Sequence, residues 1–171
     1  PIPRRQRQMC IRDRSNSMIN RVKNLLPPPT LKILYHSFIQ PHVLYGLPAW
    51  GGCSAQNKKR IINIQKRAIR TITKSYFSAH TEPRMKQLGL LKFNDLYEQQ
   101  CLLLMHDCFY QHAPKKIQNL CSTQYISEYN LRGQTPSTLD LKVPNYKSRA
   151  ASNSFSAIGP KLWNNTMNDF K

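Results

Sequence analysis

Lysine and arginine side chains on one face of a predicted helix are the residues of this chain best suited to binding chemistry. The apolar period predicts a helix over residues 54–73, whose apolar face bears Ile61, Ile62, Gln65, Ala68, Ile69 and Ile72. The opposite face bears the basic side chains of Lys59, Arg60, Lys66, Arg67, Arg70 and Lys74. Clustered cations bind phosphate groups, so this face predicts contacts with nucleic acid.

A solvated outer surface is the alternative interpretation of the basic face. Solvated helical faces normally mix charges of both signs, often with Glu four residues before Lys. Here no acidic residue occurs from Gly46 to Thr81. The missing carboxylates therefore favour a polyanionic partner over a solvated face.

Acidic residues give no indication of catalysis. Metal-dependent phosphoryl transfer needs clustered carboxylates that hold two divalent cations. The eight Asp and Glu residues of this chain are scattered, and no two of them are adjacent. The sequence also lacks a Gly-rich phosphate loop and a nucleophile motif, and nothing local supports a Ser-His-Asp arrangement. We therefore expect no catalytic residue in this chain.

Cysteine and histidine residues raise the question of zinc. Cys101, Cys108 and His112 share one face of a predicted helix, and Cys121 follows them. Zinc sites usually place two ligands two to four residues apart across a tight turn, which a straight helix does not offer. Buried packing is the favoured interpretation and zinc is the alternative, so no metal site is predicted.

Overall composition limits the class of protein and its compartment. The chain has 171 residues, with 26 Lys and Arg against 8 Asp and Glu, and a formal net charge of +18. No run of eighteen apolar residues occurs, so we expect no transmembrane helix and no membrane partner. Five cysteines without a disulfide-like spacing or a secretory signal predict a reducing intracellular compartment, the nucleus or the cytoplasm.

Residues 1–14 differ in character from the rest of the chain. Five Arg residues occur there without apolar periodicity or turn residues. The segment resembles translated sequencing-adapter read-through, which would make it a non-native leader. A basic RNA-binding arm is the alternative interpretation.

Proline, glycine and capping residues predict the elements that position the basic helix. The first predicted helix ends at Leu26, and the second spans Thr30–Gln40 with a restart at Pro41. After the basic helix, a short helix follows Thr81 and ends at Gly89. A long helix then spans Asp95–Gln111, and another short helix ends at Leu120. Ser54 is the predicted cap of the basic helix, and Ser15 or Ser17 that of the first helix. The composition of residues 122–154 predicts irregular structure. Pro160 indicates the start of a final short helix. We expect three aromatic side chains to pack in the core, those of Tyr35, Tyr45 and Trp50. Stacking of one of them on a nucleic-acid base is the alternative.

Four segments, taken in order, resemble a known family. They are YG…WG at residues 45–51, IQKRAIR at 64–70, HTEP…LG at 80–89 and GPKLWN at 159–164. The series is similar to the region that follows the polymerase core of non-LTR retrotransposon reverse transcriptases of the jockey and CR1 type. The similarity covers residues 18–171.

The predicted helices and this resemblance together give a mainly α fold, with a small helical thumb-like bundle at residues 15–121. Composition predicts an irregular, weakly structured segment with a short final helix at 122–171. The resemblance implies a C-terminal fragment of an RNA-directed DNA polymerase that grips the template–primer duplex and docks on an upstream palm. The family's catalytic acidic pair lies upstream, so the fragment alone should be inactive and hold no cofactor. The parent enzyme would need a divalent metal, Mg²⁺. The alternative is a structural module that docks on the palm, with an incidental basic face.

Overall fold

Helices are the only regular structure in the part of the chain that the computed structural model describes. That part comprises residues 14–119, 141 and 143–169, without the side chains of residues 149 and 167–169. No strand occurs among these residues, so the mainly α class is confirmed. Residues 1–13 of the predicted leader and the predicted boundary between residues 121 and 122 lie outside the described residues.

Ten helical segments are described. They are α1 (14–22), α2 (Pro28–Phe38), α3 (Gln40–Leu44), α4 (Leu47–Trp50), α5 (Ala55–Ile72), α6 (Glu82–Leu88), α7 (Phe93–Phe109), α8 (Lys115–Gln118), α9 (Arg149–Ser152) and α10 (Phe155–Asp169). The chain divides into two compact units. The first contains the described residues of Pro1–Tyr45 and Ser54–Leu96, and the second contains Gly46–Cys53 and the described residues of Tyr97–Lys171.

The core of the first unit begins with a single buried stripe that runs through α2 and α3. Leu31, Tyr35, Ile39 and Val43 follow one another at intervals of four residues, and all four are buried. A spacing of four keeps side chains on one face of a helix. Helix α2 begins at Pro28 and ends at Phe38, two residues before the predicted boundaries at Thr30 and Gln40, because proline suits the first turn of a helix. Helix α3 then begins at Gln40, with Pro41, the predicted restart, in its first turn, and the stripe stays on its face.

Three helices of the chain end in the same backbone arrangement, the Schellman motif. After α5, Ser75 N–H donates to the Arg70 carbonyl at 2.9 Å, while Lys74 lies in the left-handed region at φ 50°. Gly89 has φ 63° after α6, and Gln111 has φ 60° after α7. Glycine adopts this conformation without strain, whereas lysine and glutamine adopt it at a cost of about 1–2 kcal/mol each. The predicted end of α6 at Gly89 is confirmed.

Predicted helix boundaries differ from the observed ones at both starts and ends. The first helix ends at residue 22 rather than at the predicted Leu26, and α7 ends at Phe109 rather than at the predicted Gln111. Ser54 is the residue before α5, as predicted, but its side chain makes no capping hydrogen bond. Ser15 and Ser17 lie within helical residues rather than before them. Helix α7 begins at Phe93, two residues before its predicted start at Asp95. Phe93 is buried, so burial of its ring extends the helix toward the N-terminus.

The second unit has a small apolar core of its own. Met105, Leu141 and Trp163 are buried there, with Leu102, Cys108, Phe109 and Phe155 packed against them. The Phe109 and Trp163 rings stack with centroids 5.6 Å apart. The Asn164 side chain also pairs with both backbone groups of Leu141, at 2.9 Å for each hydrogen bond.

The last helix begins earlier than the sequence predicts. Proline favours the first turn of a helix, so Pro160 predicts a helix that starts there. The structure differs, because α10 begins at Phe155 and Pro160 lies inside it. Ser154 supplies the first carbonyl of the helix, to Ile158 N–H at 3.0 Å, and Phe155 joins the apolar core. Packing of the partly buried Phe155 and burial of Ala157 therefore determine the start, and the helix continues through the missing N–H of the proline.

One buried polar side chain connects three segments of the first unit. Gln65 of α5 is 3% exposed, and its Nε2 donates to the Tyr35 hydroxyl at 3.2 Å and to the Leu91 carbonyl at 2.8 Å. Burial raises the pKa of Tyr35, and the hydrogen bond from Gln65 opposes that shift. Both acceptors would lose this partner if the amide were removed.

We therefore predict that Gln65→Leu lowers the free energy of unfolding by about 1–3 kcal/mol, the usual cost of leaving a buried polar group unpaired. Urea denaturation followed by circular dichroism measures the change. Gln56→Leu is the matched control, because Gln56 lies on the same helix and is exposed. Equal stabilities of the two variants would contradict the connecting role of Gln65.

Candidate nucleic-acid interface

Helix α5 separates apolar from basic side chains as its sequence predicts, with one exchange. The buried residues are Ile61, Ile64, Gln65, Ala68, Ile69 and Ile72. Ile62, which was predicted on this face, is only half-buried, and Ile64 is buried instead. The buried arc is therefore centred slightly further round the helix. The Ile64 carbonyl also accepts a hydrogen bond from the side-chain amide of buried Asn16 in α1, at 3.2 Å.

The predicted binding residues differ in how available their cations are. Lys59, Arg60, Arg67 and Lys74 are exposed, whereas Lys66 and Arg70 are half-buried. Lys74 lies two residues beyond the last residue of α5, Ile72, so it belongs to the turn rather than to the helix. The exposed set is thus four of the six predicted residues, and it extends past the end of the helix.

Glu82 is an acidic residue close enough to influence this surface. Its carboxylate lies 2.8 Å from the Lys92 ammonium. That hydrogen bond lowers the pKa of Glu82 most, and the charges of Lys92, Lys86 and Lys66 lower it further. Because Lys92 already pairs with Glu82, this carboxylate does little to neutralise Lys66.

Arg70 has contacts within the chain that its neighbours on the basic face lack in the described structure. Its Nε donates to the Ala79 carbonyl at 3.1 Å, and its guanidinium carbon lies 5.6 Å from the centroid of the Phe77 ring. We name residues 75–80 the aromatic loop. Arg70 therefore holds this loop beside the end of α5, which the sequence alone did not predict.

Two aromatic side chains of this loop are candidate binding residues that the sequence reasoning missed. Tyr76 is 88% exposed and Phe77 is 83% exposed. Their position in the sequence could have indicated this role, because they follow the basic helix directly and lie in the stretch without acidic residues. Of the three aromatic residues predicted to pack in the core, Tyr35 is buried and Trp50 is half-buried. Tyr45 is 82% exposed, so the prediction of core packing is wrong for Tyr45.

The Cys and His residues considered for zinc do not assemble in the described part of the chain. Cys101 is buried, and burial raises the pKa of its thiol to about 11, so the thiolate that zinc requires is disfavoured. Cys108 packs against the apolar core of the second unit, and His112 is exposed. Among the described residues, no group of three or more His, Cys, Asp or Glu could hold a metal ion. Cys121 lies outside them.

No protein-family model, curated protein or solved structure matches this chain. Within the described residues, no helix is both long enough and apolar enough to cross a membrane. The described residues therefore form a mainly α protein with a basic surface on α5 and the turn that follows it.

Arg70 lies on α5 and contacts the aromatic loop, so its removal should affect stability. Arg70→Ala removes a hydrogen bond and a ring contact, so we expect it to lower the free energy of unfolding by about 1–2 kcal/mol. Arg67→Ala removes an exposed cation on the same helix and should change it by less than about 0.5 kcal/mol. Urea denaturation measures both. If the two variants are equally stable, the contacts of Arg70 with the aromatic loop contribute nothing to the fold.

Proposed function

We propose that this chain is a non-catalytic segment of a non-LTR retrotransposon reverse transcriptase that grips the template–primer duplex through α5. The observation that supports this function is the set of exposed cations at Lys59, Arg60, Arg67 and Lys74, on a helix whose other face is buried. The parentage rests on the resemblance of the four sequence segments. The grip rests on the charge and exposure of these side chains.

The proposed mechanism is contact with phosphate groups rather than with bases. Lys and Arg neutralise phosphates without reading sequence, and each contact releases counterions, so binding weakens as salt rises. A polymerase moves along templates of any sequence and therefore needs a grip of this kind. The buried isoleucines fix the helix, so that the cations are presented from a rigid element.

Partners and cofactors follow from this proposal. The nucleic-acid partner is an RNA–DNA or DNA duplex, and the second partner is an upstream palm in the same polypeptide. The catalytic carboxylates and their divalent metal, Mg²⁺, belong to that palm. The chain alone would bind nucleic acid without extending a primer, in the nucleus or the cytoplasm.

A structural module that docks on the palm is the second candidate function. Exposed apolar side chains on the first unit favour it: Leu25 is 81% exposed and Ile33 is 63% exposed. Leu103 of α7, in the second unit, is 51% exposed. Docking would use these apolar groups and would leave the charge of α5 without a role. The two functions therefore differ in which substitutions matter.

Charge reversal on α5 tests the grip. We predict that Arg60→Glu with Arg67→Glu lowers affinity for a blunt duplex by about tenfold or more, uniformly across sequences, because phosphate contacts are lost. Fluorescence anisotropy with labelled duplexes of two unrelated sequences measures the effect. Arg70 is avoided because of its contacts with the aromatic loop.

The matched control reverses two exposed lysines of α8, Lys115→Glu with Lys116→Glu, which changes net charge equally. If the α8 pair loses as much affinity as the α5 pair, binding reflects overall charge and the proposed grip is wrong. If neither pair loses affinity while Ile33→Ser abolishes association with a palm, the docking module is the better account.

A further inference from the structure

The two exposed rings of the aromatic loop have no role in a grip that uses only phosphates. Single exposed apolar side chains are common on protein surfaces and need no explanation. Tyr76 and Phe77 differ because they are adjacent, and because both stay exposed, at 88% and 83%, in a loop that is fastened to the helix. Their exposure is therefore a property of an ordered loop.

Several contacts fasten the loop. Ser75 N–H donates to the Arg70 carbonyl at 2.9 Å, and the Thr73 and Ser75 hydroxyls lie 2.6 Å apart. At the far end, Arg70 Nε donates to the Ala79 carbonyl at 3.1 Å, and Ala79 N–H donates to the Tyr76 carbonyl at 3.1 Å. The backbone is thus held on both sides of the two rings.

The charge beside the rings is positive. The Arg70 guanidinium lies 5.6 Å from the Phe77 centroid, and Lys74 is exposed immediately before the loop. Lys74 adopts the left-handed conformation at φ 50°, where glycine would be less strained. A cation therefore occupies the turn that leads to the rings, although glycine would adopt this backbone conformation with less strain.

Proteins bind single-stranded nucleic acid through exposed aromatic rings next to cations. Bases stack on aromatic rings with little dependence on sequence, while the cations contact the backbone phosphates. A duplex hides the faces of its bases within the stack and offers such rings only its ends. Phe77, with Arg70 near its ring, retains enough exposed surface for a base to stack on it.

We propose that Tyr76 and Phe77 stack on unpaired bases of a single strand that continues from the duplex held by α5. This inference rests on the proposed function and extends it, because it adds a single-strand site next to the duplex grip. The predicted ligand class is single-stranded DNA or RNA of any sequence. Two adjacent rings and no aliphatic cluster in the loop favour this ligand over a lipid surface.

Removal of the rings tests the site. We predict that Tyr76→Ala with Phe77→Ala lowers affinity for a labelled 15-nucleotide single strand by about tenfold or more, on the scale of base–aromatic stacking. Affinity for a blunt 15-base-pair duplex should change less than about twofold. The salt dependence of single-strand binding should keep its slope, because no cation is removed.

The ring-preserving pair Tyr76→Phe with Phe77→Tyr is the matched control and should bind like the unaltered chain. Circular dichroism spectra and urea midpoints of all variants check that folding is equal. Anionic vesicles of phosphatidylcholine and phosphatidylserine are titrated in parallel. Vesicle binding that the alanine pair abolishes, with single-strand binding unchanged, would assign the rings to a membrane surface and overturn the proposal.

The remaining outcomes separate this inference from the proposed function. If the unaltered chain binds the duplex in a salt-dependent way but the alanine pair keeps full single-strand affinity, the stacking site is wrong and the grip stands. Equal losses on single strand and duplex also contradict stacking on unpaired bases. If the unaltered chain binds neither nucleic acid, both proposals fail.

Discussion

Burial of one face of α5 is the constraint on which the rest of the structure depends. Ile61, Ile69 and Ile72 are buried on that face, and each contributes about 1.5–3 kcal/mol relative to an exposed side chain. Gln65 lies among them and is tolerated because Tyr35 and Leu91 accept its hydrogen bonds. With this face buried, the cations lie on the opposite face of the helix, where Lys59, Arg60 and Arg67 are exposed. The exposure of the basic surface is therefore a consequence of packing.

The end of α5 extends that surface into a loop. The Schellman motif turns the chain at Lys74, and Arg70 reaches forward from the last turn of the helix to the Ala79 carbonyl. One arginine thus stabilises the loop that presents Tyr76 and Phe77 instead of contributing a fully exposed charge. The cations and the aromatic rings form one continuous stretch of chain, so phosphate contacts and base stacking would act on neighbouring parts of one ligand.

Local sequence signals predicted much of the fold. The apolar period of α5 and the glycine that ends α6 are properties of a few consecutive residues, and both predictions are confirmed, with Ile64 in place of Ile62 on the buried face. The start of α10 was missed because packing of Phe155 against the apolar core outweighs the preference of Pro160 for a first turn. The hydrogen bond between Arg70 and Ala79 depends on how the loop folds back on the end of α5, and the exposure of Tyr45 depends on packing. An apolar period reveals neither.

The central claim is that exposed cations of α5 and its turn bind phosphates, and the salt dependence of duplex binding by the unaltered chain tests it most directly. Four exposed cations predict a plot of log affinity against log salt with a slope of about −3.6, because each phosphate contact on a duplex contributes about −0.9. The measurement is fluorescence anisotropy of a labelled duplex between low and physiological salt. A slope near zero, or the absence of binding at low salt, would contradict the account.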